Sequence, residues 1–258
     1  MKAKRVKTSN KKYILVPLII LLITLLCYLF YNFYINIRDK KLSENLQNGL
    51  TNCISTNEIN NDMHNELIEK VKELQKENED VKAWIKINDT NINYPVVQAN
   101  DNNYYLYRNY KKENSNYGSI FIDSNSNIEN PNSNIIMYGH NMKDGSMFKD
   151  LLKYADEEYY NNHKYIEFVT NTSSSTYEII AVFKSRIFYK NEKNVFRYYQ
   201  CTNLNNEQDY NYYVNNCKEL SLYDTGVNAE YGEQIITLIT CEYSSENGRM
   251  VVVAKKAK

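Results

Sequence analysis

The cysteines of this chain form no pattern that is typical of a metal site or a disulfide framework. Five cysteines are scattered over 258 residues, and no two of them form a C-x-x-C pair. Such short-range pairs are typical of zinc sites, so the sequence indicates no metal site and no cofactor. An odd, scattered set predicts free thiols, Cys241 among them, and leaves only a Cys201–Cys217 bridge open.

The chain also lacks an excess of positive charge outside its first residues. It contains 31 basic and 31 acidic residues, and six of the basic ones fall within residues 1–12, where there is no acid. The remainder therefore carries 25 basic against 31 acidic residues, a net charge of −6. Proteins that bind nucleic acid usually present a basic surface, so nucleic acid is not an expected partner.

One long apolar run dominates the N-terminal part of the sequence. Residues 13–35 carry no charge and match the ~20 residues that a membrane-spanning helix needs. No small-x-small cleavage site follows, which favours an uncleaved signal anchor over a signal peptide. The positive-inside rule then places residues 1–12 in the cytoplasm as a basic tail and the rest of the chain outside the cell.

A linker and a helix are predicted between this run and the main domain. Residues 36–56 are polar and of mixed charge, which is typical of a stalk. Residues 57–78 predict a helix, because apolar residues recur there at spacings of three and four. The stripe consists of Ile59, Met63, Leu67, Val71 and Leu74. We expect it to pack on the domain that follows.

From about residue 81 the pattern changes to short strands with turn residues between them. Apolar segments predict strands at 84–87, 92–97, 119–122, 134–138, 165–169, 176–185, 235–241 and 249–253. A short helix is predicted at 146–154 and a further helix at 208–220. Seven or eight short strands with few helices favour a mainly β fold. A closed or nearly closed β-barrel over residues 81–258 is the expected architecture.

Two of the predicted strands bring a thiol close to a guanidinium. The run that begins at Ile235 ends at Cys241, and an Asn-Gly turn separates it from a run that begins at Arg249. A hairpin of this kind places both side chains at the same rim of the sheet. Nearby positive charge favours the nucleophilic thiolate, and an arginine can stabilise an oxyanion. The alternative is a small core cysteine beside a solvated arginine.

A histidine follows another predicted strand end. His140 comes directly after the apolar segment Asn134–Tyr138 and a glycine, whereas His64 lies on the predicted helix and His163 in a loop. Cysteine hydrolases and acyl transferases need a base near the thiol, and the two need not be close in sequence. His140 is therefore the candidate acid and base, although no carboxylate partner for it is evident.

Taken in order, the motifs of this chain resemble those of the sortases, and most closely those of class B. The resemblance covers residues 81–256 and depends on segments 84–87 (WIKI), 94–98 (YPVVQ), 118–123 (GSIFID), 138–142 (YGHNM), 145–148 (GSMF) and 237–241 (TLITC), with Arg249 eight residues after the cysteine. It implies an eight-stranded barrel with an N-terminal helical extension and a helix between strands 6 and 7. Residues 57–258 would then form an extracellular catalytic domain.

The resemblance also implies an activity: that of a membrane-anchored cysteine transpeptidase of a Gram-positive bacterium. Cys241 would cleave a surface protein after Thr of an Asn-Pro-x-Thr-Asn or Ser/Pro-Pro-x-Thr-Gly sorting motif and form a thioester. An amine of the peptidoglycan cross-bridge or of a lipid-linked precursor would resolve it. His140 would exchange the protons, and Arg249 would stabilise the oxyanion together with the backbone N–H of Glu242.

The residues that line the substrate site are also implied only by similarity to the family. They are Asn102, Leu106, Thr240 and Glu242. The calcium sites of some other sortases have no counterpart that the sequence reveals.

Three other functions remain open from the sequence. A pilin-polymerising sortase would attach a lysine of another pilin, and such enzymes often carry a second membrane helix near the C-terminus, for which residues 251–258 provide no apolar run. A secreted thiol protease would pass its acyl group to water. A tethered β-barrel that only binds wall components or peptides would have Cys241 buried and His140 far from it.

Overall fold

Two helices precede the barrel in the chain. The computed structural model describes residues 11–48, 59–130 and 134–257. Helix α1 spans Lys11–Asn48, and helix α2 spans Ile59–Glu77. The predicted anchor at 13–35 therefore lies within α1, whereas residues 1–10 of the predicted basic tail and residues 49–56 of the predicted stalk lie outside the described residues.

Eight strands form the barrel, and they match the segments that the sequence predicted as strands. They are β1 (Val81–Lys86), β2 (Asn93–Val97), β3 (Ile120–Ile122), β4 (Asn134–Tyr138), β5 (Tyr165–Thr170), β6 (Ser174–Arg186), β7 (Ile235–Cys241) and β8 (Gly248–Lys256). Their order around the barrel is β1-β2-β3-β4-β7-β8-β6-β5, and β5 pairs with β1 to close it. The pairs β2–β3 and β4–β7 are parallel, and the others are antiparallel.

The interior of the barrel is filled by apolar side chains. Successive residues of a strand point to opposite faces, so every second residue contributes to this core. It includes Ile85, Val96, Met137, Val182, Leu238 and Val252, all of which are fully buried. Burying one such side chain stabilises the fold by roughly 1.5–3 kcal/mol, which is why the alternating pattern specifies the strand register.

Two helices cover the outside of the barrel. The described part of the stripe on α2 packs against β1 and β5, where Leu67 and Val71 are fully buried beside Trp84. The short helix α3 (Glu157–Asn162) precedes β5. Helix α4 (Glu207–Leu220) lies between β6 and β7 in the chain and packs on β6 through residues that include Tyr213 and Cys217. The N-terminal helical extension and the helix between strands 6 and 7 are therefore both confirmed.

Helix α1 extends into the segment that the sequence predicted as a stalk. Among the described residues, the segment Val16–Asn45 is the one helix that is long and apolar enough to cross a membrane, with a mean hydropathy of 2.3 over an 18-residue window. The sequence predicted a polar stalk from residue 36, but the helix continues to Asn48 and its polar part contacts the barrel. Pairs such as Lys40–Glu44, four residues apart at 3.8 Å, are compatible with a continued helix.

Candidate active site

Three adjacent strands bring the predicted catalytic residues to one rim of the barrel. β7 and β8 pair in the antiparallel sense with Cys241 opposite Arg249. β4 and β7 pair in the parallel sense with Tyr138 opposite Ile239. The backbones of neighbouring strands are about 4.8 Å apart. His140, two residues after Tyr138, therefore comes level with the cysteine when this register is extended past the strand end.

Side-chain alternation assigns the three groups to the same face of the sheet. Residues two positions apart along a strand point to the same side. Ile239 and Val251, two positions from the cysteine and the arginine, belong to the apolar cluster between the sheet and α4. Tyr138, two positions before the histidine, packs against the same cluster. The thiol, the imidazole and the guanidinium accordingly face outward from the barrel, at a point where all three are only partly buried.

His140 is oriented by the chain that runs between β2 and β3. Its Nε2 lies 2.8 Å from the backbone carbonyl oxygen of Leu106. The loop approaches so closely because residue 118 is a glycine in the left-handed region (φ +59°), where a Cβ would lie 3.1 Å from Cδ2 of His140 and 2.6 Å from the Leu106 oxygen. The ring of Tyr107 lies 6.5 Å from the imidazole. A backbone carbonyl thus takes the orienting position that a carboxylate has in many triads.

The guanidinium of Arg249 is held by the backbone of its own hairpin. Its Nη1 donates to the carbonyl oxygens of Gly248 at 2.8 Å and of Asn247 at 3.2 Å. The hairpin requires glycine at position 248, because a Cβ there would lie 2.3 Å from the carbonyl oxygen of Glu242. Fixed donors of this kind can stabilise negative charge without first reorganising.

Two tyrosines, Tyr138 and the fully buried Tyr198, lie within reach of the Arg249 charge. Burial raises the pKa of Tyr138 and of Tyr198 well above the usual value, and the arginine partly opposes both shifts. The thiol of Cys241 adds to the shift at Tyr198, so that hydroxyl lies near both groups. Tyr138 donates to Asp123 at 2.9 Å, whereas the Tyr198 hydroxyl has no hydrogen-bond partner among the residues that the structure describes.

The backbone N–H of Glu242, which the resemblance places at the oxyanion, already has a partner within the hairpin. The backbone N–H of Glu242 donates to the carbonyl oxygen of Gly248 at 3.0 Å, so it is not free in this state. The Glu242 side chain accepts from Ser244 and lies 3.5 Å from Nζ of Lys184. Burial acts to raise the pKa of this carboxyl, but the hydrogen bonds from Ser244 and the charge of Lys184 outweigh it, and the pKa lies below its usual range.

The other residues predicted to bind substrate are engaged within the protein. The Asn102 side chain donates to Asp123 and accepts from the backbone N–H of Ser124, both at 2.8 Å. Thr240 is 2% exposed, and its hydroxyl donates to the carbonyl oxygen of Gly139 at 2.8 Å. Leu106 contributes its carbonyl to His140, and its side chain is half-buried. Their contact with substrate stays a prediction.

The described cysteines are free thiols with different surroundings. Cys217 is fully buried on the side of α4 that faces the barrel, and burial raises the pKa of its thiol well above the usual value. Burial also raises the pKa of Cys201, to about 11. Cys241 is half-buried at the end of β7. Cys201 and Cys217 are not bridged in this structure.

A closed eight-stranded barrel with a thiol, an imidazole and a guanidinium on one face of its rim is the arrangement of a cysteine acyl transferase. The family model described as "Sortase domain" matches residues 85–257. The chain belongs to the sortase family, and its relatives identify it as a class B sortase.

The chain is similar to Sortase B of Listeria monocytogenes, with 39% identity over 189 residues that cover 72% of this chain and 74% of that protein. The structure of the Staphylococcus aureus sortase B–substrate complex matches with a TM-score of 0.70 and 31% identity, and covers 86% of this chain and 99% of that one. A structure of sortase B complexed with triglycine also matches with a TM-score of 0.70 and 31% identity, covering 85% and 99%.

Family membership decides the class of function. Sortases are cysteine transpeptidases, so this protein is an enzyme, a sortase transpeptidase of the cell wall. The alternative of a tethered barrel that only binds wall components or peptides is therefore excluded.

Proposed function

We propose that Cys241 is the nucleophile that cleaves a sorting motif after Thr and carries the acyl group as a thioester. The Sγ–C bond forms as the C–N bond of the scissile peptide breaks, and an amine of the peptidoglycan cross-bridge or of a lipid-linked precursor then displaces the sulfur. The observation that carries this proposal is the shared face of three neighbouring strand ends, with Cys241 paired to Arg249 and His140 level with both. A partly exposed thiol at that position can reach a bound peptide.

His140 is the general acid and base in this proposal. Because its Nε2 is engaged by the Leu106 carbonyl, Nδ1 is the nitrogen that exchanges protons at the reaction centre. It takes the proton of the Cys241 thiol and passes it to the leaving amine as the thioester forms. It then removes a proton from the incoming amine and returns it to the sulfur that is released.

Arg249 stabilises the oxyanion of both tetrahedral intermediates. Its hydrogen bonds to the hairpin use Nη1, which leaves Nε and Nη2 for the substrate carbonyl oxygen. The N–H of Glu242 can join it only if the bond to Gly248 opens when substrate binds.

The substrates are surface proteins with a C-terminal sorting motif of the Asn-Pro-x-Thr or Ser/Pro-Pro-x-Thr type. Asn102, Leu106, Thr240 and Glu242 line the groove in this proposal. The relative solved as a substrate complex supports a peptide substrate, and the one solved with triglycine supports an amine acceptor.

The enzyme is held at the cell membrane by α1. Its apolar part crosses the bilayer once, with the basic N-terminus in the cytoplasm and the barrel outside. Limited proteolysis of intact protoplasts tests this topology, because an outside barrel is accessible to protease and an inside one is not.

The experiment that tests the function uses the full chain in nanodiscs with quenched peptides that contain Asn-Pro-Gln-Thr-Asn or Ser-Pro-Gln-Thr-Gly. Cleavage and transfer to triglycine are separated by mass spectrometry. We expect no turnover for Cys241→Ala, a loss of about 10²–10⁴-fold for His140→Ala and a loss of about 10²–10³-fold for Arg249→Ala. Cys201→Ala, which removes another thiol, serves as the control with normal activity.

Three outcomes would contradict this assignment. Cleavage that survives in Cys241→Ala removes the thioester from the mechanism. Cleavage that never yields a triglycine adduct indicates a thiol protease instead, and transfer only to a lysine-bearing pilin peptide indicates a pilin-polymerising sortase.

A further inference from the structure

The polar end of α1 is docked on the barrel through a buried carboxylate. Asp39 is 4% exposed, although most of the residues that precede it in α1 are exposed. It accepts hydrogen bonds from the hydroxyl of Ser115 at 2.7 Å and from the adjacent Arg38. Arg38 also donates to the backbone carbonyl of Asn114. A charged side chain is buried at a cost unless it is paired in this way, so the contact is specific rather than incidental.

The loop that Asp39 contacts is the loop that orients His140. The backbone N–H of Ser115 donates to the carbonyl oxygen of Tyr107 at 2.9 Å. The preceding carbonyl, that of Leu106, is the partner of His140 at 2.8 Å. Two hydrogen bonds and one peptide unit therefore separate the Asp39–Ser115 contact from the imidazole.

A second contact of α1 reaches His140 from its other side. The hydroxyl of Ser43 lies 3.4 Å from the hydroxyl of Tyr94, which accepts from the backbone N–H of Met147 at 3.0 Å. The next residue, Phe148, donates its N–H to the carbonyl oxygen of His140 at 2.9 Å. Residues 36–43 of α1 thus contact the loop on one side of the histidine directly, and the segment on its other side through Tyr94.

We propose that Asp39 is a positioning residue for His140. Docking of residues 36–43 restricts the loop between Tyr107 and Gly118, and this keeps the Leu106 carbonyl aimed at Nε2 of the imidazole. The anchor helix is then part of the scaffold of the active site as well as a tether. This inference rests on the proposed catalytic role of His140, and it assigns Asp39 no contact with substrate.

The test compares variants of the full chain in nanodiscs with the quenched Asn-Pro-Gln-Thr-Asn peptide and triglycine. Asp39→Ala is expected to lower kcat about tenfold with KM within twofold, a factor that corresponds to losing one orienting hydrogen bond. Asp39→Asn keeps an acceptor for Ser115 and should retain most of the activity. Glu44→Ala is the matched control, since Glu44 lies on the same helix and its ion pair with Lys40 is exposed.

A spectroscopic measurement separates positioning from general damage to the fold. The chain has three histidines, so ¹⁵N-histidine labelling gives a simple spectrum. In Asp39→Ala the ring resonances of His140 should shift while those of His64 and His163 stay in place. Ser115→Ala removes the same hydrogen bond from its other partner, so it should also lower kcat and shift the His140 resonances. It replaces Asp39→Ala as the test variant if that protein folds poorly.

Unchanged kcat and unchanged His140 resonances in both variants would overturn the proposal, as would equal shifts at all three histidines. These results differ from those expected if the proposed function fails. If it fails, Cys241 is not acylated even in the wild-type chain, whatever residue stands at position 39.

Discussion

Replacing Gly118 by alanine tests how the Leu106 carbonyl controls His140. The new Cβ would lie 2.6 Å from the carbonyl oxygen of Leu106 and 2.8 Å from that of Tyr105, closer than side-chain carbons approach such atoms. Both are backbone atoms, so the loop itself must move. Gly226 provides the matched control, because it also has a positive φ, +70°, but a Cβ there meets nothing within 4 Å.

Both substitutions carry the cost of an alanine in the left-handed region, and Gly118→Ala also weakens the hydrogen bond to His140. Each places alanine in the left-handed region, which costs roughly 1–2 kcal/mol and is offset in part by the lower entropy of the unfolded chain. We therefore expect Gly226→Ala to lower the free energy of unfolding by about 1 kcal/mol at normal activity. In Gly118→Ala the displaced carbonyl also weakens its hydrogen bond to His140, worth about 1 kcal/mol. A misplaced imidazole lowers kcat/KM by about 10–100-fold.

The assay combines chemical denaturation with peptide cleavage and transfer to triglycine for both variants. The expected result is a loss of activity confined to Gly118→Ala and larger than its loss of stability explains at the assay temperature. If Gly118→Ala matches Gly226→Ala in both stability and kcat/KM, the Leu106 carbonyl does not orient His140 and the reasoning is refuted.

Three further predictions follow from the site and its surroundings. Arg249→Lys keeps the charge but not the planar set of donors, so kcat should fall about 10–100-fold in the transfer assay, and normal kcat would mean that charge alone suffices. Tyr198→Phe removes a buried hydroxyl without a partner among the described residues and should raise the free energy of unfolding by about 1 kcal/mol, while Tyr213→Phe removes one bonded to a threonine at 2.6 Å and should lower it by a similar amount. A Tyr198→Phe variant less stable than the wild type, or a Tyr213→Phe variant more stable than it, would contradict this in denaturation experiments. At pH 8 a thiol of pKa about 11 is only ~0.1% thiolate, so iodoacetamide should modify Cys201 far more slowly than Cys241, and equal rates by peptide mapping would show that burial does not protect it.

The sequence predicted the catalytic residues better than the groups that hold them in place. Cys241 and Arg249 could be placed opposite each other because an Asn-Gly turn between two apolar runs determines a hairpin. His140 could be singled out because it follows a strand end. That β4 lies beside β7 in the parallel sense was not evident from the residues themselves, since strands so far apart in the chain carry no local signal of pairing.

The groups that complete the site are mostly backbone atoms, which a sequence pattern does not reveal. The partner of His140 is the carbonyl of Leu106, a residue for which similarity implied only a place along the substrate groove. The N–H of Glu242 was expected at the oxyanion, but its engagement with Gly248 depends on the exact hairpin geometry. Asp39 lies in a stretch whose polarity is typical of a solvated stalk. Its burial depends on Ser115, 76 residues away, and only the folded chain brings the two together.

Trapping the acyl-enzyme tests the proposed thioester more directly than any variant does. The full chain in nanodiscs is incubated with the Asn-Pro-Gln-Thr-Asn peptide without any amine, quenched in acid, and analysed by peptide mass spectrometry. We expect the peptide up to Thr to be attached to Cys241, to be absent from Cys241→Ala, and to be released as a new amide when triglycine is added. Cleavage of the peptide with Cys241 unmodified at every time point would contradict the thioester mechanism.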